Sequence, residues 1–314
     1  MYLRPVLRTV IPCRNYSTSS SETLRRNFRH IQIYDGPELY SQSVDKHLKI
    51  CEAYRNHCRK EWDISLVNKE RLILNLEKAE SQGTLGQTLL VIPAGESTHV
   101  ERCFQDIAHK IKRYVGEEGL SVFGTCGSGY ALAALRTWTD KCEENPREAK
   151  PIVKESLLGL FNGLAAGPLS LCPTEVYNSN FFHEAVEVWT AETKCTVLLS
   201  GGGGLVPLQS ASHKDIFLSH QNVKILAKYS EDFLRLKGKD FNIYSNAVVA
   251  FSYGKGKGII SMINPGYGPE DIDLGAYTEH MPGHDWEKIR NSLSSYNQRM
   301  RLSFGFFNEL EKLD

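Results

Sequence analysis

The turn around Cys126 is the feature that most limits how this chain can fold. Residues 121–130 read Ser-Val-Phe-Gly-Thr-Cys-Gly-Ser-Gly-Tyr. The apolar run before the cysteine predicts a buried strand, and residues 130–135 are good helix formers. Small residues between them permit a sharp strand-to-helix turn, which would present Cys126 at a helix N-terminus. Because helix N-termini favour a thiolate, we predict that Cys126 is a nucleophile; a packing role is the alternative.

Strand and helix patterns alternate with short links through the first half of the chain. This alternation predicts parallel strands with helices on both faces of a sheet. The predicted order is a strand at 30–34, a helix at 41–62, a strand at 87–92, a helix at 99–114 and a strand at 120–123.

The second half is richer in strands. Apolar runs predict three of them, and a Gly-Lys-Gly-Lys-Gly turn predicts that the last two form a hairpin; they lie at 196–199, 247–251 and 259–262. The tail from 286 to 313 has helical spacing. The predicted fold is therefore an α/β, three-layer, mostly parallel sheet with flanking helices, forming one domain over residues 30–314.

The first 29 residues differ in composition from the rest. They hold six arginines, a Ser/Thr cluster and a single acid, Glu22. This composition is typical of a mitochondrial transit peptide, and Arg14 followed by Ser17 resembles a cleavage site. We therefore predict a mitochondrial protein, in the matrix; a disordered N-terminus without an address is the alternative.

Composition excludes several classes of partner. The chain has 37 basic and 37 acidic residues, so no basic excess indicates nucleic-acid binding. No apolar run approaches the roughly 20 residues of a membrane span. The eight cysteines include no C-x-x-C pair, and the glycine runs lack the order of a phosphate loop. We expect no metal and no cofactor, and a small-molecule ligand or a protein partner; the oligomeric state stays open.

A second strand end carries a possible oxyanion site. The strand at 87–92 ends in a Pro-Ala-Gly turn, whose Gly95 N–H is a candidate donor. The Gly127 N–H, directly after the nucleophile, is the second candidate. A thiolate beside two such donors is the arrangement that acyl transfer requires.

Several short motifs occur in the order of a known family. They are Asp-Gly-Pro at 35–37, Ile-Pro-Ala-Gly at 92–95, the Cys126 turn, Asn-Gly-Leu-Ala-Ala-Gly-Pro at 162–168, Tyr-Asn-Ser at 177–179, Ser-Gly-Gly at 200–202 and Tyr-Gly-Lys-Gly-Lys at 253–257. In this order they resemble the N-terminal domain of biotin-protein ligases, which is itself similar to class I glutamine amidotransferases. The resemblance covers most of residues 30–270.

The resemblance implies a catalytic triad that this chain lacks. In the amidotransferases a His activates the cysteine, and a Glu two residues later orients that His. Asn264 and Gly266 stand at the corresponding positions. Since Asn cannot accept a proton near neutral pH and Gly cannot orient a base, we expect no ordinary glutaminase. His99, His280 and His284 are the candidate substitutes.

Three hypotheses follow. The first is an amidotransferase-like domain that is non-catalytic or repurposed to bind a small molecule or a partner. The alternative is an unconventional cysteine amidohydrolase or acyl-transfer enzyme that uses Cys126. The third, a link to biotin metabolism, rests on the resemblance alone. The Gly-Arg-Gly-Arg-x-Gly and Lys-Trp-Pro-Asn-Asp segments of biotin-protein ligases are absent from this sequence, so we do not expect it to make biotinyl-adenylate.

Overall fold

The structure is a computed structural model. It describes residues 26–138, 152–169, 184–199, 202–208, 218, 221–237, 245–280, 283 and 285–312. The described helices are α1 (Ser41–Cys58), α2 (Lys69–Ser81), α3 (Ser97–Phe104), α4 (Ala108–Glu118), α5 (Gly127–Leu132), α6 (Glu231–Lys237), α7 (Leu274–His280), α8 (Trp286–Ser292) and α9 (Tyr296–Glu311). Short 3₁₀ helices span Leu85–Gln87 and Pro269–Asp271.

The described strands form one mixed sheet. They are β1 (His30–Tyr34), β2 (Asp63–Val67), β3 (Thr88–Ile92), β4 (Ser121–Thr125), β5 (Ala133–Trp138), β6 (Ile152–Glu155), β7 (Phe161–Gly167), β8 (Glu184–Trp189), β9 (Lys194–Leu199), β10 (Gly204–Pro207), β11 (Val223–Tyr229), β12 (Asn246–Tyr253) and β13 (Gly256–Ser261). The sheet order is β2-β1-β3-β4-β13-β12-β10-β7-β5-β6. In addition, β11 pairs with β12 and with β8, and β8 pairs with β9.

The parallel part of the sheet runs from β2 through β1, β3 and β4 to β13. All five residues of β3 and of β4 are buried, as expected for parallel strands covered on both faces. On one face α1 packs with α9, where Phe123 of β4 contacts the rings of Phe306 and Phe307. On the other, α2 and α4 are joined by a Lys110–Glu77 ion pair. The predicted α/β class is confirmed.

Most predicted elements are present, with differences at their ends. Strands lie where the apolar runs placed them, and β12 and β13 form the predicted antiparallel hairpin, with Tyr253 opposite Gly256. The helix predicted at 99–114 is two helices, α3 and α4. Strand β2 was not predicted. It begins with the charged, exposed Asp63, and only the last of its five residues, Val67, is buried.

The helix predicted through residue 135 was wrong beyond Leu132. Residues 133–138 form β5, which pairs with β7 and β6. Alanine and leucine favour a helix in isolation, but pairing along both edges of this segment supplies hydrogen bonds and burial that outweigh that preference. Helix α5 is consequently a short connection of six residues between two strands.

The described chain begins with residues that are packed into the fold. Phe28 is buried, and the Arg26 guanidinium donates to the Gly119 carbonyl oxygen at 2.7 Å. The segment predicted as a transit peptide lies, up to residue 25, outside the described residues, as does its expected cleavage site. None of the described helices is long and apolar enough to cross a membrane.

The hairpin between β12 and β13 packs against α4. From this contact we predict how much alanine substitutions at two glycines destabilise the protein. Gly254 has φ +57°, and a Cβ there would lie 2.1 Å from the Gly116 carbonyl oxygen. Gly83 also has positive φ (+64°) but open space around it. We expect Gly254→Ala to destabilise the protein by about 3 kcal/mol or more, and Gly83→Ala by about 1 kcal/mol, in urea denaturation. Equal losses for the two variants would contradict the close packing of the hairpin on α4.

Candidate site at the Cys126 turn

The candidate site lies where the parallel strands end. Cys126 follows β4, and its N–H donates to the Ser261 carbonyl oxygen of β13 at 2.7 Å. Thr125 lies opposite Ser261 in the parallel register. Strand β3 pairs with the opposite edge of β4, so the turn after β3 lies on the other side of Cys126 from β13. The carboxyl ends of parallel strands are where α/β sheets commonly bind ligands.

The Cys126 backbone is strained. Its φ of 52° and ψ of −120° lie in a region that residues with a Cβ rarely adopt. Such a conformation costs on the order of 1–3 kcal/mol and persists where neighbouring contacts enforce it. The Cys126 carbonyl oxygen accepts the Gly129 N–H at 2.9 Å, which begins α5 directly after the turn.

The Cys126 thiol is neutral at physiological pH. The residue is half-buried; desolvation raises its pKa to about 11, although the backbone N–H groups of Gly127 and Gly202 lower it. At Cys126 the desolvation of the charge therefore outweighs the two backbone donors, and the reactivity of this cysteine stays a prediction. Burial also raises the pKa values of Tyr229 and Tyr267, and the nearby sulfur adds to both shifts.

Gly95 and Gly127, the predicted oxyanion donors, lie in contact. A Cβ on Gly127 would lie 1.8 Å from the Gly95 carbonyl oxygen, so only glycine permits this approach. The Ser128 hydroxyl donates to the Pro93 carbonyl oxygen at 2.5 Å and fixes the turn to α5. These contacts place the Pro-Ala-Gly turn directly against the cysteine turn.

The remaining polar groups of that turn have partners on α1 and the chain before it. The Ala94 N–H donates to Ser43 Oγ at 2.8 Å, and the Ala94 carbonyl oxygen accepts the Tyr40 N–H at 3.0 Å. Proline has no N–H. Of the two N–H groups in this turn, that of Ala94 is therefore occupied by Ser43.

Gly202 lies at the sulfur, a contact that sequence reasoning did not identify. The Tyr130 hydroxyl donates to the Gly202 carbonyl oxygen at 2.9 Å, and the Tyr229 hydroxyl donates to that of Gly203 at 2.7 Å. These two bonds hold the glycine segment over the thiol. The Ser-Gly-Gly motif at 200–202 was the only signal, and its first two residues, like the Tyr-Asn-Ser motif at 177–179, lie outside the described residues.

Asn264 and Gly266 lie on the segment that follows β13. Asn264 is 4% exposed and forms an antiparallel bridge with Leu198, and its buried Oδ1 has no hydrogen-bond partner among the described residues. A Cβ on Gly266 would lie 2.9 Å from Ile50 Cδ1 and 3.1 Å from Lys46 Cβ. A larger residue at 266 would therefore require these two side chains of α1 to shift.

His47 is the buried histidine of the site, and sequence analysis missed it. Its Nδ1–H donates to the Ser43 carbonyl oxygen at 2.7 Å, so its Nε2 accepts the Thr125 hydroxyl at 2.8 Å. Burial lowers its pKa to about 4, and the imidazole is neutral. A polar residue on a charged helix gives no signal of this role, because the partner is 78 residues away.

Of the three candidate bases named from the sequence, the structure describes the side chain of His99 alone. His99 is exposed on α3, and its Nδ1 lies 3.3 Å from Glu96 Oε2. His284 lies outside the described residues, as does the side chain of His280. Within the described part of the chain, no cluster of three or more His, Cys, Asp or Glu side chains is arranged to hold a metal ion.

A small cavity separates α1 from the segment after β13. Its volume is about 10 Å³, which is about what one water molecule needs. His47, Thr125 and Asn264 line it together with apolar side chains. The space between α1 and the segment after β13 is therefore nearly filled by the protein itself.

The chain can now be placed among known proteins. The family model "Biotin-protein ligase, N terminal" matches residues 29–309, so the chain belongs to this family. A search of the curated proteins finds no match.

Solved structures show distant likenesses. A glutamine amidotransferase is 16% identical, with a TM-score of 0.39 and coverage of 75% of this chain and 90% of that one. The glutaminase domain of Trypanosoma brucei CTPS with bound acivicin is 13% identical, with a TM-score of 0.37 and coverage of 76% and 86%. An exo-β-1,4-mannosidase from Opitutaceae bacterium strain TAV5 is 8% identical, with a TM-score of 0.42, and the match covers 91% of this chain and 37% of that one.

The neutral His47 predicts acid sensitivity. Its folded pKa of about 4 lies below the ordinary 6.5, so its contribution to stability is full above pH 6.5 and is lost as the pH falls toward 4. Over that range the loss is about 3 kcal/mol. We expect the free energy of unfolding of His47→Gln, measured in urea from pH 7 to pH 4, to fall less steeply than that of the unaltered protein. The surface variant His99→Gln is the control; parallel curves for His47→Gln and the unaltered protein would contradict the prediction.

Proposed function

We propose that this protein is a non-catalytic or repurposed amidotransferase-like domain that binds a small molecule or a partner at the Cys126 turn. One observation carries the proposal. Asn264, at the position of the family's catalytic His, is buried and has no group that accepts a proton near neutral pH. Loss of one triad member typically costs several orders of magnitude in rate.

The protonation states of the site support this proposal. The pKa of Cys126 is about 11 and that of His47 is about 4, so both side chains are uncharged over the whole physiological range. A neutral thiol is a poor nucleophile, and the neutral imidazole is bonded to Thr125. The site therefore has the character of a binding surface.

The contact between Gly266 and α1 gives further support. A Glu at this position would have to displace Ile50 and Lys46 before it could orient a base. We therefore expect that Asn264→His with Gly266→Glu alone would not produce a glutaminase, because packing as well as chemistry opposes it.

A second candidate function is an unconventional cysteine hydrolase or acyl-transfer enzyme. It is favoured by one feature, the Gly127 and Gly202 N–H groups that both lower the pKa of Cys126. Donors that converge on the sulfur would also stabilise an anion formed on a bound acyl group. This function requires a base supplied from elsewhere.

The family also supports a link to biotin, and the composition of residues 1–29 supports a mitochondrial location. We place the protein, on these grounds, near biotinylated carboxylases of the mitochondrial matrix as a ligand sensor or regulator. Both steps are inferences from family membership and composition.

Glutamine hydrolysis tests the first proposal. We expect turnover by the unaltered protein to equal that of Cys126→Ala, because no base activates the thiol. We expect the double variant Asn264→His with Gly266→Glu to remain inactive. We expect glutamine turnover to rise only when Ile50→Ala, which opens space at position 266, is added. Glutamine or ester turnover that Cys126→Ala abolishes would overturn the proposal and favour the hydrolase.

Ligand binding tests the biotin link. A ligand at one hundred times its dissociation constant stabilises a protein by about 2.7 kcal/mol, which shifts Tm by several degrees. We expect a biotinylated carboxylase fragment to raise the Tm of this protein, and the same fragment without biotin to leave it unchanged. If biotin, biotinyl-adenylate and the biotinylated fragment all leave Tm unchanged, the link has no support.

A further inference from the structure

Helix α1 contacts the Cys126 site through two buried polar side chains. Ser43 Oγ accepts the Ala94 N–H at 2.8 Å, in the turn after β3. His47 Nε2 accepts the Thr125 hydroxyl at 2.8 Å, at the end of β4. Both residues are more than nine-tenths buried. A single face of α1 therefore bonds to the ends of two neighbouring strands.

The same face reaches the segment after β13. Lys46 pairs with Asp271 at 2.6 Å, and its ammonium lies 5.5 Å from the centroid of the Tyr267 ring. Ser43 also hydrogen-bonds the Tyr267 side chain, which lowers the pKa of that phenol against the larger effect of burial. Residues 43, 46, 47 and 50 recur at helical spacing, so one rigid surface meets all three strand ends.

We propose that Ser43 and His47 are positioning residues for Cys126: they act through Ala94 and Thr125 to fix the cysteine turn, and the docking of α1 sets how deeply the thiol is buried. The strained Cys126 backbone needs contacts on both sides to persist. The Ser261 carbonyl oxygen holds it from β13, and the Thr125–His47 bond holds the preceding residue from α1.

The hydrogen-bond roles make this coupling specific. Because the Ser43 carbonyl oxygen takes the Nδ1–H of His47, Nε2 can only accept, and Thr125 must donate. Removal of the Thr125 hydroxyl leaves a buried acceptor unpaired, which loosens α1 at the site. More water then reaches the half-buried Cys126, and part of the desolvation that raises its pKa is relieved. This inference concerns the thiol environment and holds whether or not the site turns over a substrate.

Alkylation of Cys126 by iodoacetamide tests the inference. The rate is followed by mass spectrometry of the Cys126 peptide from pH 7 to pH 11. We expect Thr125→Val to raise the rate at pH 8 at least about fivefold and to move the midpoint of the pH profile below that of the unaltered protein. Thr125→Ser, which keeps the hydroxyl, should stay within roughly twofold of it.

Thr88→Val is the matched control. Thr88 is equally buried, and its hydroxyl bonds to the Thr84 carbonyl oxygen at the opposite end of the neighbouring strand. It should leave the alkylation of Cys126 unchanged.

His47→Leu and its double variant with Thr125→Val complete the test. We expect the double variant to react no faster than either single variant, because both break the same bond. His47→Leu also keeps the test decisive if Thr125→Val fails to fold. A Cys126 alkylation rate and pH midpoint that are the same in His47→Leu, Thr125→Val, Thr88→Val and the unaltered protein would overturn the proposal, as would equal effects of Thr125→Val and Thr125→Ser.

Discussion

The strained backbone of Cys126 is the constraint on which the rest of the site depends. A residue with a Cβ at φ 52° and ψ −120° is held there by its surroundings, at a cost on the order of 1–3 kcal/mol. The surroundings are the Ser261 carbonyl oxygen, the Ser128–Pro93 bond and the contact between Gly95 and Gly127. The first joins the cysteine turn to β13, and the other two join it to the turn after β3. The conformation of Cys126 therefore depends on the arrangement of strands β3, β4 and β13.

The chemistry of the site follows from burial more than from the helix terminus. Desolvation raises the pKa of the Cys126 thiol and lowers that of the His47 imidazole. Both groups are therefore neutral, whereas an active cysteine enzyme requires a thiolate and a base that can hold its proton. The donors near the sulfur, from Gly127 and Gly202, remain. These donors, together with the neutral thiol and imidazole, support the proposed role in binding a ligand without cleaving it.

Helix α1 connects the segment after β13 with the ends of the neighbouring strands. Its Ile50 and Lys46 lie against Gly266, while its Ser43 and His47 bond to the ends of β3 and β4. Because these four residues recur at helical spacing, one rigid surface contacts all three parts of the site.

Much of the fold follows from the sequence, because buried parallel strands such as β3 and β4 read as short apolar runs between turn residues. The sequence also placed Cys126, Gly127, Gly95 and Asn264 at strand ends, where neighbouring parallel strands bring them together. It could not separate β5 from the helix before it, since that strand exists through pairing with β6 and β7. Nor could it reveal the roles of His47 and Gly202, or that the thiol is neutral. Those properties depend on burial and on contacts between residues far apart in the chain, which only the tertiary structure brings about.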